Sequence, residues 1–334
     1  LLVSQYYWPE SFPITNFVQA VRAAGCELTV LTGQPNYPGP DVFPGYRAHG
    51  VGRETHPEGY TVLRVPVVPR RRASAIRLAA NYCSFVLSAL VFGPRLTSGL
   101  GFDVVMVYAP SPVLQAIPAI WLGWLKRVPV VLWVQDLWPE SLSSTGHVRS
   151  RAILRAVEVV VRWIYRHCDL LLGQSPAFVT AIRPMAGGTP TEYFPNPADE
   201  AFASDPDVPT PPALRLAAGF NVVFAGNLGT VQALDTILEA ADLLRHEDGI
   251  RFVLIVKGSR RPWLSSEVAR RDLGSVSLPG HFPLEEMPAI LAQASVLLVS
   301  LQRNPTMSHT IPTKIQAYLA VGRPILASMD GEGA

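Results

Sequence analysis

Lysine is nearly absent from this 334-residue sequence: of 28 basic residues only Lys126, Lys257 and Lys314 are lysines. Charge of either sign is sparse, at 16% of residues against about 25% in typical soluble domains. A net charge of +2 and the lack of a recognition motif argue against a nucleic-acid role. Cysteine is limited to Cys26, Cys83 and Cys168, never as Cys-x-x-Cys, which excludes a disulfide scaffold and a thiolate zinc site. The seven histidines lack ligand spacing, and the one Asp-x-Asp, Asp205-Pro206-Asp207, lies away from any expected strand end, so no metal site is expected. Long apolar runs are missing too. Val113 to Leu125 and Cys83 to Gly93 both fall short of the about 20 residues a bilayer span needs, and no span is expected. The sequence opens without methionine inside a strand and stops directly after another. It is therefore expected to be a fragment, trimmed slightly at the front and substantially at the back, so that a signal peptide would not be visible.

What is present is apolar, at 49% hydrophobic residues, which excludes disorder and supplies core for two domains. Short β-branched runs alternate with amphipathic stretches. Strands are expected at Leu1 to Ser4, Glu27 to Leu31, Thr61 to Val65, Val104 to Tyr108, Val128 to Val134 and Leu170 to Leu172. Between and after them, helices are expected at Thr15 to Ala24, Ser74 to Phe92, Val113 to Leu125, Arg151 to Arg166 and Pro176 to Ile182. Pro195 to Pro212, dense in proline and acid, breaks the pattern as a linker would. The alternation then restarts, from strand Asn221 to Phe224 through helices Val231 to Arg245, Pro262 to Arg271, Pro283 to Ala294 and Lys314 to Val321. Continuous apolar strands alternating with helices predict two α/β units on parallel sheets. Such sheets bind ligands at the carboxyl ends of their strands.

Four stretches carry candidate chemistry. Gly226-Asn227-Leu228-Gly229 follows an expected strand, where glycines let a backbone approach a phosphate; a plain tight turn reads equally well. Lys314 begins a helix, where a cation opposes the dipole unless an anion lies between them, and Lys257 ends a strand; a solvent-facing lysine is the alternative for each. Asp136 ends the apolar strand before Leu137-Trp138-Pro139-Glu140, placed to act as a base or orient a hydroxyl, or with Glu140 merely to cap the next turn. Arg70-Arg71-Arg72, Arg77 and the apolar run to Gly93 read as a basic helix lying on a membrane surface, or as a solvated face.

Longer motifs resemble a known family. Ser4 to Glu10, Leu31 to Pro38 and Trp133 to Ser141 resemble the N-terminal domain of family 4 glycosyltransferases, in the subgroup of colanic-acid and O-antigen assembly that includes N-acetyl-L-fucosamine transferases. Pro195-Asn196, Gly226 to Gly229 with Leu234-Asp235, and Pro312 to Pro324 resemble its C-terminal domain. The resemblance implies a GT-B fold: two Rossmann-like, doubly wound parallel-sheet domains facing across a cleft. It assigns residues 1–197 to the acceptor, 198–215 to a linker and 216–334 to an incomplete nucleotide-sugar domain. It further implies retaining transfer of a sugar, from a donor expected to be UDP-linked, to a saccharide on a polyprenyl diphosphate carrier in O-antigen or capsule assembly. The enzyme would be peripheral on the cytoplasmic face of the membrane, with no metal or other cofactor.

On this pattern Asp136 and Lys314 are expected to be catalytic. Gly226, Asn227, Leu228, Gly229, Lys257, Thr313 and Lys314 are expected at the donor, and Glu10, Asn36, Gln135 and Glu140 at the acceptor. The sequence departs from the wider family in five places. Gln135 stands where the family has histidine, an arginine near Asn227 and a lysine near Gln232 are missing, and the two family glutamates read His309 and Ala317. A clamp rebuilt around Lys314 and Lys257 is the expected compensation. A GT-B UDP-sugar 2-epimerase type of enzyme and a nucleotide-sugar-binding homologue without turnover are the competing readings, since fold alone does not give function.

Overall fold

The computed structural model describes residues 1–10, 12–70, 75–144, 148, 150–203, 213–228, 232–258, 260–303, 308–309 and 311–333, with backbone only at 75, 144, 200 and 203. Two compact units result, Leu1–Pro195 and Asn196–Ala334. In the first, β1 (Leu2–Val3), α1 (Ile14–Ala23), β2 (Thr29–Gly33), β3 (Gly52–Thr55) and β4 (Thr61–Val65) lead into the long helix α2 (Ala75–Leu96). There follow β5 (Val105–Ala109), α3 (Ala116–Lys126), β6 (Val130–Val134), α4 (Glu140–Ser144), α5 (Arg151–Arg166), β7 (Leu170–Gly173), α6 (Pro176–Ala186) and β8 (Thr191–Tyr193). The sheet order is β3-β4-β2-β1-β5-β6-β7-β8.

Strand alternation divides the first core in two. Val3, Leu31, Leu63, Val107 and Leu132 face Phe85 and Ala89 of α2, Leu122 of α3 and Ile164 of α5. Their neighbours Leu2, Val30, Val62, Tyr108 and Trp133 face Ile14 and Val18 of α1. The expectation of a wholly parallel sheet fails at one edge, where β3 pairs antiparallel with β4. That strand, Gly-Arg-Glu-Thr, is polar and half-exposed, so neither an apolar run nor a two-residue period announced it.

Helix α2 also departs from expectation. Its residues Ile76–Leu96 are long and apolar enough, by length and composition, to cross a membrane. The separate apolar runs understated this because Asn81, Ser84 and Ser88 interrupt them without adding charge. In the fold, Phe85 and Ala89 are buried against the sheet and Asn81 is hydrogen-bonded to Gln5, Tyr6 and Asn36.

The second unit contains β9 (Phe220–Asn227), α7 (Leu234–Leu243), β10 (Ile250–Lys257), α8 (Arg261–Arg270), β11 (Val276–Gly280), α9 (Met287–Leu291), β12 (Val296–Ser300), α10 (Thr313–Val321) and β13 (Ile325–Ser328). All its strand pairings are parallel, in the order β11-β10-β9-β12-β13. The chain leaves β9 in one direction to build β10 and β11 and returns on its other side with β12, a switch point. β9 stays paired with β10 along its whole length but with β12 only at Val222 and Val223, so β9 and β12 part toward their carboxyl ends. Where described, the stretch expected as a linker joins this unit, with Phe202 buried in its core and Leu214 packed against it. The Asp205-Pro206-Asp207 motif lies outside the described residues.

Candidate functional site

Each unit holds polar groups at the carboxyl end of its sheet. In the first, the strand order turns back between β1 and β5, and a cavity of about 420 Å³ lies beside the residues that follow β5 and β6, lined by Arg70, Tyr82, Ser111, Asp136, Trp138 and Ser141 among apolar side chains. Asp136 follows β6 directly, and Trp138 Nε1 donates to its Oδ2 at 3.2 Å. Burial pushes the Asp136 carboxyl up to about 6, against the pull of hydrogen bonds from Ser141, Trp138 and Ser111, and the nearby Glu140 charge adds to the rise. Such a group is ionised at neutral pH yet close to giving and taking a proton. The Tyr82 phenol, on α2, is hydrogen-bonded by Ser111 and Tyr6, with its ionisation suppressed mainly by burial. Arg70 stands over the rings of Tyr37 and Tyr6, 5.1 and 5.9 Å from their centroids. The sequence offered no signal for Tyr82 or Ser111: they come from separate elements, and only the packing of α2 against the turn at Val113–Gln115 after β5 joins them to Asp136.

Other expected acceptor residues have structural duties. Glu10 is buried, its Oε1 accepting from the amides of Asn36 and Tyr37, both at 2.7 Å, and its Oε2 from that of Tyr7 at 3.0 Å. Burial pushes its carboxyl up to about 7, with those amides and the Arg64 charge pulling the other way. Asn36 donates to the Gln34 carbonyl and accepts from Asn81. These two residues therefore tie the loop after β2 to the loop after β1. The Gln135 carbonyl accepts from Gln174, and Glu140 is exposed at the start of α4.

In the second unit, α10 enters the gap between the diverging β9 and β12. The Ala225 amide, on the edge of β9 that β12 has left, donates instead to the Tyr318 hydroxyl at 2.9 Å. One turn earlier on α10, Lys314 reaches over the Phe224 ring, its Nζ 3.7 Å from the centroid. That ammonium is buried and, among the described residues, has no hydrogen-bond partner. Burial alone lowers it to about 8. Gly226 lies against this ammonium with φ +143°, a backbone conformation that glycine adopts readily and other residues resist. The first turn of α10 carries no acid, and its N-cap, Pro312, provides no side-chain cap; the Ile315 amide donates to the Pro312 carbonyl at 2.9 Å, and Thr313 is exposed. A buried cation beside a helix N-terminus is an arrangement that suits an anion.

The remaining donor residues divide. The Leu228 amide is engaged, donating to the Lys257 carbonyl at 2.6 Å, so it is no phosphate donor here. Gly258, which the sequence did not single out, permits that contact, since a Cβ there would meet Asn227 Oδ1 and the Leu228 carbonyl, both at 2.6 Å. Lys257 is exposed one strand away, beside Asn227 in register, with Nζ 3.5 Å from His281 Nε2. Gly229 lies outside the described residues. The expected turn from β9 straight into a helix is longer than its spacing suggested, because β9 runs through Asn227 and α7 starts only at Leu234.

Residues 14–197 match the glycosyl transferase 4-like domain, and residues 219–334 match glycosyl transferases group 1. The chain is a family 4 glycosyltransferase. Among curated proteins, this glycosyltransferase is 26% identical over 328 residues to the putative colanic acid biosynthesis glycosyl transferase WcaI of Escherichia coli (strain K12), covering 91% of this chain and 76% of that one. It is 25% identical over 274 residues to the probable glycosyltransferase WbjE of Pseudomonas aeruginosa, covering 78% of this chain and 66% of that one. Its fold is that of GT-B enzymes. The sucrose-phosphate synthase of Thermosynechococcus elongatus superposes with a TM-score of 0.69 at 16% identity, covering 99% of this chain and 81% of that one. Anabaena HepE in complex with UDP and glucose gives 0.61 at 16% identity, covering 100% and 81%. The trehalose-phosphate synthase of Burkholderia vietnamiensis gives 0.63 at 13% identity, covering 98% and 81%. At such identities these structures speak for the glycosyltransferase's fold alone.

Proposed function

We propose that this glycosyltransferase moves a sugar, with retention, from UDP to a saccharide on a polyprenyl diphosphate carrier in cell-surface polysaccharide assembly. The observation that carries the reading is the Lys314 ammonium, buried without a hydrogen-bond partner among the described residues, at a helix start without a side-chain cap beside Gly226. A charge held that way is costly until an anion arrives. The departing nucleoside diphosphate is such an anion, and its charge grows as the glycosidic bond breaks, so the site acts most strongly in the transition state. Lys314 thereby supplies the cation that a metal supplies elsewhere, and the reaction needs no metal. Asp136, at about 6, orients the acceptor hydroxyl and takes its proton. The name of the relative WcaI, a putative colanic acid biosynthesis glycosyl transferase, supports a place in polysaccharide assembly; the lipid-linked acceptor and the cytoplasmic face of the membrane are carried by the family resemblance alone.

Calorimetric titration with UDP, repeated on Lys314→Ala, tests the donor half. Binding that weakens tenfold or more, about 1.4 kcal/mol, is expected. Unchanged affinity would remove Lys314 from the site. Release of UDP from a UDP-sugar only when acceptor is present supports transfer, whereas release without any acceptor would favour an epimerase-type reaction.

A further inference from the structure

The backbone around Asp136 is held on both sides. The Gln135 amide donates to the Ala109 carbonyl at 3.2 Å, and the Gln135 carbonyl accepts from Gln174 at 3.0 Å. On the other side Leu137 and Trp138 are buried in the first unit's core, and the Ser141 amide donates to the Leu137 carbonyl at 2.9 Å. A carboxylate on a fixed backbone still turns about its Cβ–Cγ bond, where the torsional wells are broad.

Trp138 removes that freedom. Its indole is 4% exposed and has a single donor, Nε1–H, which a buried tryptophan ordinarily pairs. That proton goes to Asp136 Oδ2, at 3.2 Å. The ring that carries it is itself clamped. It shares a core with Phe85 and Ile164 and stands 6.4 Å from the Tyr82 ring, tilted by 56°. Ser111 and Ser141 also hydrogen-bond the carboxylate, but a hydroxyl rotates to follow its acceptor. A packed indole cannot, so the carboxylate must turn to it.

We propose that Trp138 is the positioning residue of the general base: its indole pins Asp136 Oδ2, so that Oδ1 is the oxygen that takes the acceptor's proton. The inference rests on the reading of Asp136 as the base. As the acceptor oxygen bonds to the sugar's anomeric carbon, UDP leaves with the electron pair of the broken bond. The proton passes from the acceptor oxygen to Oδ1, and the indole keeps Oδ2 throughout. The same bond bears on the charge, since a donor at Oδ2 favours the ionised carboxylate against the burial that pushes the group up to about 6. Among the described residues, the titratable and charged groups around it are Tyr82 and Cys83 on α2, Arg70 after β4, Glu140 on α4 and Tyr165 on α5. Trp138 carries no charge, so its effect on the carboxyl runs through the bond and the space it fills.

NMR of the substrate-free protein separates those two. With aspartate labelled at its side-chain carboxyl carbon, the Asp136 signal is assigned by its loss in Asp136→Asn. In Trp138→Phe its titration midpoint should rise by about one pH unit, the worth of a lost hydrogen bond to a charged group. Trp163→Phe, at an exposed indole, should leave it unchanged. Benzothienylalanine in place of Trp138 keeps the indole's shape with sulfur for N–H, and should give the same rise. In the unaltered protein the Trp138 indole proton should shift with the midpoint of the carboxyl carbon. A crystal structure of Trp138→Phe should show the Asp136 carboxylate turned out of its plane. An unshifted carboxyl in the benzothienyl variant, an indole proton indifferent to pH, or a carboxylate still in its plane would overturn the proposal. Transfer at the unaltered rate by Asp136→Asn would overturn the base and this inference together, whereas an unshifted carboxyl overturns the inference alone.

Discussion

Replacing Lys314 by methionine should make the protein more stable and less able to hold its nucleotide. The ammonium is lowered by burial from 10.5 to about 8. At 1.36 kcal/mol per pKa unit, that shift is a cost of about 3 kcal/mol for keeping the charge in the folded protein at pH 7. Attraction to the Phe224 ring offsets about 0.5–2 kcal/mol of it. Methionine fills similar space without charge, so Lys314→Met should stabilise the empty protein by about 1–3 kcal/mol, roughly 4 °C of melting temperature per kcal/mol in the second unit's transition. The pH dependence fixes the sign. Because the folded pKa is depressed, the unfolded chain holds a proton between about 8 and 10.5 that the folded one has lost. Wild-type stability therefore climbs through that window, and the methionine advantage fades as pH approaches 10.5. Added UDP should reverse the ranking, since ligand at about 100 times its dissociation constant contributes about 2.7 kcal/mol to a protein that binds it. Thermal melts of both proteins, at pH 7 and above 10 and with and without UDP, decide the matter. A methionine variant that melts lower when empty, yet gains as much from UDP as wild type, would refute the idea of an ammonium waiting for an anion.

Three further outcomes follow from the geometry. Asp136→Asn should lower kcat by about 10²–10⁴ and remove the acid limb near pH 6 from the pH–rate profile, because only the ionised carboxylate accepts a proton. Gly226→Ala should weaken UDP binding tenfold or more, measured by calorimetry, since alanine resists the φ of +143° and the backbone beside Lys314 must shift to relieve it. Glu10→Ala would leave three amides of Tyr7, Asn36 and Tyr37 without their acceptor. It should cost about 3 kcal/mol or more in the first unit's melt while UDP affinity at the second unit stays unchanged.

How much the sequence revealed depended on burial. Strand Thr61–Val65 and helix Arg151–Arg166 were legible to the residue, because a largely β-branched stretch and a strict amphipathic period mark them. The edge strands Gly52–Thr55 and Thr191–Tyr193 were not, since polar, exposed residues form them only where a neighbour offers a ladder. The helix expected from Pro283 to Ala294 contracts to Met287–Leu291 after a tight turn at Leu284–Glu286. Helix α2, by contrast, runs on past Gly93 and Pro94 to Leu96, a stop signal overruled by packing against α3.

At the sites, Asp136 and Lys314 could be picked out from their places at a strand end and a helix start. What could not be read was their surroundings. Tyr82 and Ser111 approach Asp136 only through tertiary packing, and Glu10, which looks like a ligand residue in sequence, satisfies loop amides in the fold. Leu228, read as part of a phosphate loop, has its amide bonded to the neighbouring strand end.

The Tyr318 hydroxyl gives the amide of Ala225 an unusual status. The hydrogen bond that protects this strand proton comes from a side chain on α10, not from the neighbouring strand. Its exchange with deuterated solvent therefore reports how often α10 lifts away from β9, separately from any fraying of β12. Because Lys314 rides on the same helix, that single proton is a built-in gauge of how firmly the anion site is closed, readable without substrate, product or turnover.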